Sequence, residues 1–237
     1  MRRRGDYVAP VSGPPVLLVH GLASSFDLNW REPGWVDLLG DAGREVIGID
    51  LLGHGKADRP HDPAAYDNVA DDIAAALPDD GTPIQAIGFS MGARLLLEVA
   101  SAQPERFDRI VVAGIGAGVF AEGSSEALAT AIEGGVVDEA HGTARLFAQF
   151  AAGSGNDPKA LGAFLRRRSA PLDRAKLAGI TCPVLVVLGD KDFAAPAEPL
   201  VEALPNATYV SLKGVDHFAT PKDFKFLDAA LEFLGAN

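Results

Sequence analysis

Six short stretches constrain the fold of this chain more than anything else in it: Val16–His20, Glu45–Asp50, Ile84–Phe89, Ile110–Ile115, Val184–Leu188 and Thr208–Leu212. They are rich in β-branched residues, and most are apolar throughout rather than at every second position. An alternating strand has one face to cover. A strand apolar on both sides must be covered on both, as happens in parallel sheets. Helical patterning fills the gaps, over Trp35–Ala42, Ala64–Leu77, Met91–Ala102, Ala197–Leu204 and Pro221–Leu234. Gly or Pro stands at or near the end of the first four, and Pro221 suits the first turn of the fifth. Strand and helix in alternation predict an α/β fold, a mostly parallel, doubly wound sheet with helices on both faces. Right-handed crossovers then bring the C-terminal ends of the strands to one edge, where ligands bind.

One stretch interrupts the alternation. Residues 117–171 contain no convincing strand and read as helices over Ser124–Glu133, Val137–Ala152 and Asp157–Ser169. Phe120, Leu128, Leu146, Phe147, Phe150, Phe164 and Leu165 give them apolar faces that must pack on something. The expected organisation is a core domain of residues 1–116 and 172–237, with a small helical lid, 117–171, over the ligand-binding edge.

Composition narrows the function. With 237 residues the chain can bury a large core. Its net charge of −11 repels phosphate backbones and anionic lipid, so nucleic acid and membranes are disfavoured as partners. The single cysteine, Cys182, precedes an apolar strand and reads as a small buried side chain. MRRRGDYVAP has no apolar run behind its positive charges, and no stretch reaches the length of a membrane span. A cytoplasmic monomer or homodimer acting on a small molecule is the resulting expectation. Neither clustered metal ligands nor a full nucleotide-binding fingerprint is visible, so no cofactor is expected. Gly114-Ile115-Gly116-Ala117-Gly118 reads as a hinge leading into the lid.

The chemistry centres on Gly88-Phe89-Ser90-Met91-Gly92, between a strand and a helix. A serine on so sharp a corner stands clear of the sheet, beside a helix N-terminus that favours negative charge. A serine hydroxyl needs a base to act as a nucleophile at neutral pH. Of five histidines, His20 and His54 lie in glycine-flanked loops, and His61 and His141 in polar segments. His217 follows the last strand, on the edge that carries Ser90, and is the candidate base. The loop after Val184–Leu188 offers Asp192 as the carboxylate that would orient it. Asp190 reads as a turn former, and Asp216 points away from its neighbour His217. The N–H of Met91 and that of Leu22, in His20-Gly21-Leu22-Ala23-Ser24-Ser25, are the candidate oxyanion donors. His20 reads as a structural residue of that loop.

The order Ser90, Asp192, His217, with HGLASS upstream and GFSMG at the corner, resembles the α/β-hydrolase superfamily. Asp50-Leu51-Leu52-Gly53-His54-Gly55 resembles its D-x-x-G-x-G loop. The resemblance runs from about Val16 to Leu234 and implies the α/β-hydrolase fold, with a serine nucleophile and a catalytic triad. Only fifteen residues precede Val16, so the family's first strand is expected to be short or missing. Haloalkane dehalogenases and epoxide hydrolases of this superfamily carry aspartate where Ser90 stands, which disfavours both. The implied activity is a carboxylesterase's, through an acyl-enzyme. Phe26, Trp30, Phe193 and Phe218, with the lid phenylalanines, suggest a partly apolar site for a small to medium ester, although each could instead be core. S-M-G-x-R, ending at Arg94, also resembles the motif of 2-succinyl-6-hydroxy-2,4-cyclohexadiene-1-carboxylate synthase, a lyase whose arginine binds an anionic substrate. Arg166, Arg167 and Arg168 could add charge. The competing reading pairs Arg94 with a nearby carboxylate. C–C bond hydrolase and perhydrolase chemistry, which use the same triad, stay open, as does a ligand-binding member without activity.

Overall fold

The computed structural model describes residues 13–122, 125–136 and 142–236. Six strands, β1 (Val16–Val19), β2 (Val46–Gly48), β3 (Ile84–Phe89), β4 (Phe107–Ala113), β5 (Val184–Gly189) and β6 (Ala207–Leu212), form one sheet in the order β2-β1-β3-β4-β5-β6. Every neighbouring pair is parallel. The expectation of a short or missing first strand falls on residues 1–12 and lies outside the described residues.

Alternate strand residues feed two cores. Leu17, Val19, Ala86, Val112, Val186 and Leu188 face one, beneath α2 (Ala70–Ala75) and α3 (Met91–Ala102). Val16, Leu18, Ile87, Val111, Leu185 and Val187 face the other, beneath α1 (Trp35–Asp41) and α9 (Phe224–Leu234). Central strands are buried on both faces, whereas the edge strand β6 is largely accessible, with Tyr209 exposed. An edge strand has a neighbour on one side only, so its apolar pattern overstated its burial.

The helices depart from the pattern in three places. The stretch predicted as one helix over 64–77 is a 3-10 turn, Pro63–Tyr66, followed by the short α2. Asp67 and Asn68 favour turns, and the Tyr66 hydroxyl is anchored by donating to the Pro60 carbonyl at 2.6 Å. Pro221 sits in a 3-10 turn, Thr220–Lys222, ahead of α9, which starts at Phe224 with Asp223 accepting from the Lys225 and Phe226 N–H groups. The helix expected over 197–204 shortens to α8 (Glu198–Val201).

Between β4 and β5 the described residues hold α4 (Glu126–Ile132), α5 (Gly142–Gly153), α6 (Pro158–Arg166) and α7 (Arg174–Leu177). The fourth was not foreseen. Ser124, residues 137–141 and His141 among them lie outside the described residues. The first three helices pack together, α4 against both α5 and α6. Phe147, Leu161 and Phe164 reach the core beside α3.

Candidate active site

The strand order reverses between β1 and β3: the chain leaves β1 for β2 on one side, then returns to place β3 on the other. Loops leaving adjacent strands in opposite directions open a crevice at such a point. The loop after β1 and the corner after β3 therefore face each other. Gly92 shows how close they come, since a Cβ there would lie 2.4 Å from the His20 carbonyl oxygen. A Cβ on Gly88 would lie 2.6 Å from Ala93 Cα. Ser90 itself has φ 52° and ψ −116°, a conformation that costs a non-glycine residue about 1–3 kcal/mol. Its N–H donates to the Ala113 carbonyl at 2.8 Å, which ties the corner to β4.

Three separated segments meet at this corner. His217 Nε2 lies 2.9 Å from Ser90 Oγ, and His217 Nδ1 lies 2.9 and 3.0 Å from the two carboxylate oxygens of Asp192. Asp192 and His217 are both buried, and Asp192 also accepts from the Ala194 N–H at 2.9 Å. An acceptor on Nδ1 fixes the tautomer, leaving Nε2 free to take the hydroxyl proton. Asp190 is occupied elsewhere, accepting from the Gly214 N–H at 2.7 Å. Asp216 caps the following turn through the Ala219 N–H at 2.9 Å. Around the imidazole stand Phe193, Phe89, Phe218 and Phe147, with ring centroids 4.4, 5.0, 5.6 and 5.8 Å away.

Leu22 and Met91 both border the cavity that contains Ser90. Among the described residues neither backbone N–H has a protein acceptor, so both are available to a ligand oxygen. The loop carrying Leu22 is held from several sides. The Gly21 N–H donates to Asn29 Oδ1 at 3.0 Å. His20 Nδ1 donates to the Gly21 carbonyl, and its Nε2 accepts from the Leu51 N–H at 3.1 Å. Burial lowers the pKa of His20 and pushes that of its neighbour His54 down to about 3, which favours the neutral form of each. Among the described residues no group of three or more His, Cys, Asp or Glu is placed to hold a metal ion.

Ser90 and His217 open onto two cavities. One, of about 770 Å³, lies beneath the insertion and is bordered by Arg94, Leu128, Phe147, Leu165 and Phe193. The other, of about 350 Å³, is bordered by Leu28, Phe150, Phe218 and Pro221. Phe193 thus borders the larger cavity and Phe218 the smaller. Phe26 does not: its ring covers Gly48, beneath the Arg31 guanidinium. Trp30 is fully buried in the core against Trp35. Within the π-helical turn Asp27–Arg31, Leu28 borders the smaller cavity while Trp30 turns into the core, so nearness in sequence to Leu22 does not by itself put a side chain in the site.

Arg94 borders the larger cavity but is already engaged. It donates to the Ala170 carbonyl and, at 3.4 Å, to Glu98 one helical turn on. Arg166 pairs with Glu126 and Glu133 at 2.9 and 2.7 Å. Arg167 stacks 3.7 Å from the Phe164 ring centroid, and burial next to Arg94 lowers its pKa to about 10. The Arg168 N–H donates to Asp67. Asn29 and Asn156, which hold the Leu22 loop, carry no sequence signal that singles them out.

The alpha/beta hydrolase fold family model matches residues 14–139, and the chain belongs to this family. An uncharacterized protein of Mycobacterium tuberculosis is 27% identical over 94% of this chain and 76% of its own length. Among solved structures, bromoperoxidase from Bacillus anthracis superposes with a TM-score of 0.72 at 24% identity, over 96% of this chain and 94% of that one. The esterase RhEst1 from Rhodococcus superposes with a TM-score of 0.65 at 22% identity, over 95% and 92%. No helix of the described residues is long and apolar enough to cross a membrane.

Proposed function

We propose that this protein is a serine carboxylesterase that cleaves small to medium, partly apolar esters through an acyl-enzyme. The observation that carries the reading is the continuous contact from Ser90 Oγ through His217 to Asp192. His217 takes the Ser90 proton as the oxygen attacks the ester carbonyl. Asp192 stabilises the imidazolium that results. The Leu22 and Met91 N–H groups receive the developing oxyanion. The tetrahedral intermediate collapses, and His217 returns the proton to the departing alcohol. Water, deprotonated by His217, then attacks the acyl-Ser90 and releases the acid.

Substrate size follows from the two cavities, which suit the acyl and alcohol parts of one ester on either side of Ser90. Residues 117–171 act as the lid of this site, contributing Phe147 and Leu165 to its walls. The bonds that Arg94 makes to Glu98 and Ala170 favour a structural role for it, and so favour an ester over the anionic substrate of a lyase.

A panel of p-nitrophenyl esters of increasing acyl length tests the proposal, read with intact-mass detection of acylated Ser90. Turnover with a mass increase on Ser90 is the expected result. Ser90→Ala should lower kcat by about 10³-fold or more. A Ser90→Ala variant as active as the wild type would sink the acyl-enzyme.

A further inference from the structure

We infer that Asn156, a lid residue, is a positioning residue for the oxyanion hole: docking of the lid through Asn156 sets the place of the Leu22 N–H. The inference rests on the Ser90 chemistry proposed above. Asn156 lies in the turn between α5 and α6, far in sequence from every strand end, and it is buried. Its Nδ2 donates to the Ala23 carbonyl at 2.9 Å and to the Ser24 carbonyl at 3.0 Å. Its Oδ1 accepts from the Gly55 N–H at 2.8 Å. One amide thus joins the insertion to the loop after β1 and to the loop after β2.

The loop it grips needs gripping. Ala23, next to Leu22, has φ 58°, a left-handed conformation that alanine adopts only when its surroundings impose it. Left unbonded, the Ala23 and Ser24 carbonyls would be buried acceptors without a donor, and the loop would relax toward ordinary backbone angles. Any such relaxation turns the adjacent Leu22 N–H away from the Ser90 carbonyl site. Oxyanion stabilisation depends on donors fixed before the charge develops, so small displacements cost rate rather than substrate binding. The neighbouring contact, His61 Nε2 to Asp157 at 2.7 Å, also holds the lid turn to the core but does not touch the Leu22 loop. The two contacts separate lid attachment from oxyanion positioning.

The test compares Asn156→Ala, Asn156→Asp and His61→Ala with the wild type, using p-nitrophenyl acetate and phenylboronic acid, which forms a tetrahedral adduct on an active serine. Asn156→Ala should lower kcat by about tenfold or more with KM changed less than about twofold. Boronate affinity should fall by a similar factor. Asn156→Asp keeps the acceptor for Gly55 but has no N–H for Ala23 and Ser24, and should show the same loss. It also keeps the test alive if the alanine variant does not fold. His61→Ala should stay within about twofold of wild-type kcat. Wild-type kcat and boronate affinity in either folded Asn156 variant would overturn the inference, as would a change confined to KM, and the ester reading would survive both results. A wild-type protein that neither turns over esters nor binds the boronate would sink both.

Discussion

The loops after β3, β5 and β6 and the insertion between β4 and β5 meet around one serine, but different forces hold them. The strand-end loops are extensions of the ladder: Ser90, Asp190 and Lys191 donate their N–H groups to the Ala113, Leu212 and Val215 carbonyls. Their titratable side chains, Asp192 and His217, are buried and fully paired. The insertion is held to itself by the Arg166 pairs with Glu126 and Glu133, which are partly solvent-exposed, and to the core by aromatic packing and Asn156. Exposed ion pairs weaken with salt and contribute little by themselves. On the proposed chemistry, proton transfer rests on the strand-end loops, and the insertion supplies part of the wall of each cavity.

This contrast can be tested from its strongest point downward. Asp192→Asn replaces the carboxylate with a neutral amide whose N–H can donate to His217 Nδ1 and favour the wrong tautomer, and should lower kcat by about 10³-fold or more, whereas Asp190→Asn, which only loosens a turn, should cost less than about tenfold. Steady-state kinetics on one neutral ester decides between them. The reverse order would mean that the wrong carboxylate orients the base.

A smaller effect is expected where the two regions meet. His54 is buried between His20 of the core and Phe164 of the insertion, with centroids 5.2 and 5.3 Å away. Its folded pKa is about 3, against 6.5 for the free side chain, so between those values the unfolded chain binds more protons. Stability is then complete above about pH 6.5 and falls as pH drops toward 3, by about 1.4 kcal/mol per pH unit for each such histidine. Urea unfolding of His54→Gln at pH 4.5, 5.5 and 6.5 should give a shallower slope than the wild type. An equal slope would mean that His54 carries no part of the acid sensitivity.

The smallest effect should be that of Arg94→Ala. Neutral-ester turnover should stay within about threefold, because the side chain bonds Glu98 and Ala170 rather than the Ser90 centre. Loss confined to carboxylated esters would instead give Arg94 a binding role and weaken the plain esterase reading.

The residues that the sequence brought out best share a property. Ser90 follows β3 directly, and Asp192 and His217 stand in the loops that leave β5 and β6, so knowing the strands and their direction puts all three on one edge. Phe26 and Trp30 illustrate the failure: they stand a few residues beyond that edge, and both pack with the core beneath α1 and α9 rather than lining the Ser90 cavities. Arg94 shows an ambiguity of another kind. Its helix position was legible, but its partner Ala170 is 76 residues away.

Taken alone, the sequence determined the parallel sheet, the strand-turn-helix corner at Ser90 and the order of the three segments that converge there. These depend on local apolar periodicity and on glycines that leave room for a close turn, both properties of neighbouring residues. Tertiary structure alone decided that the Leu22 and Met91 N–H groups have no protein acceptor among the described residues, that four phenylalanines surround His217, and that Asn156 spans the insertion and the Leu22 loop. Each of those is a contact between segments far apart in the chain, fixed by how the elements pack and not by any pattern within one of them.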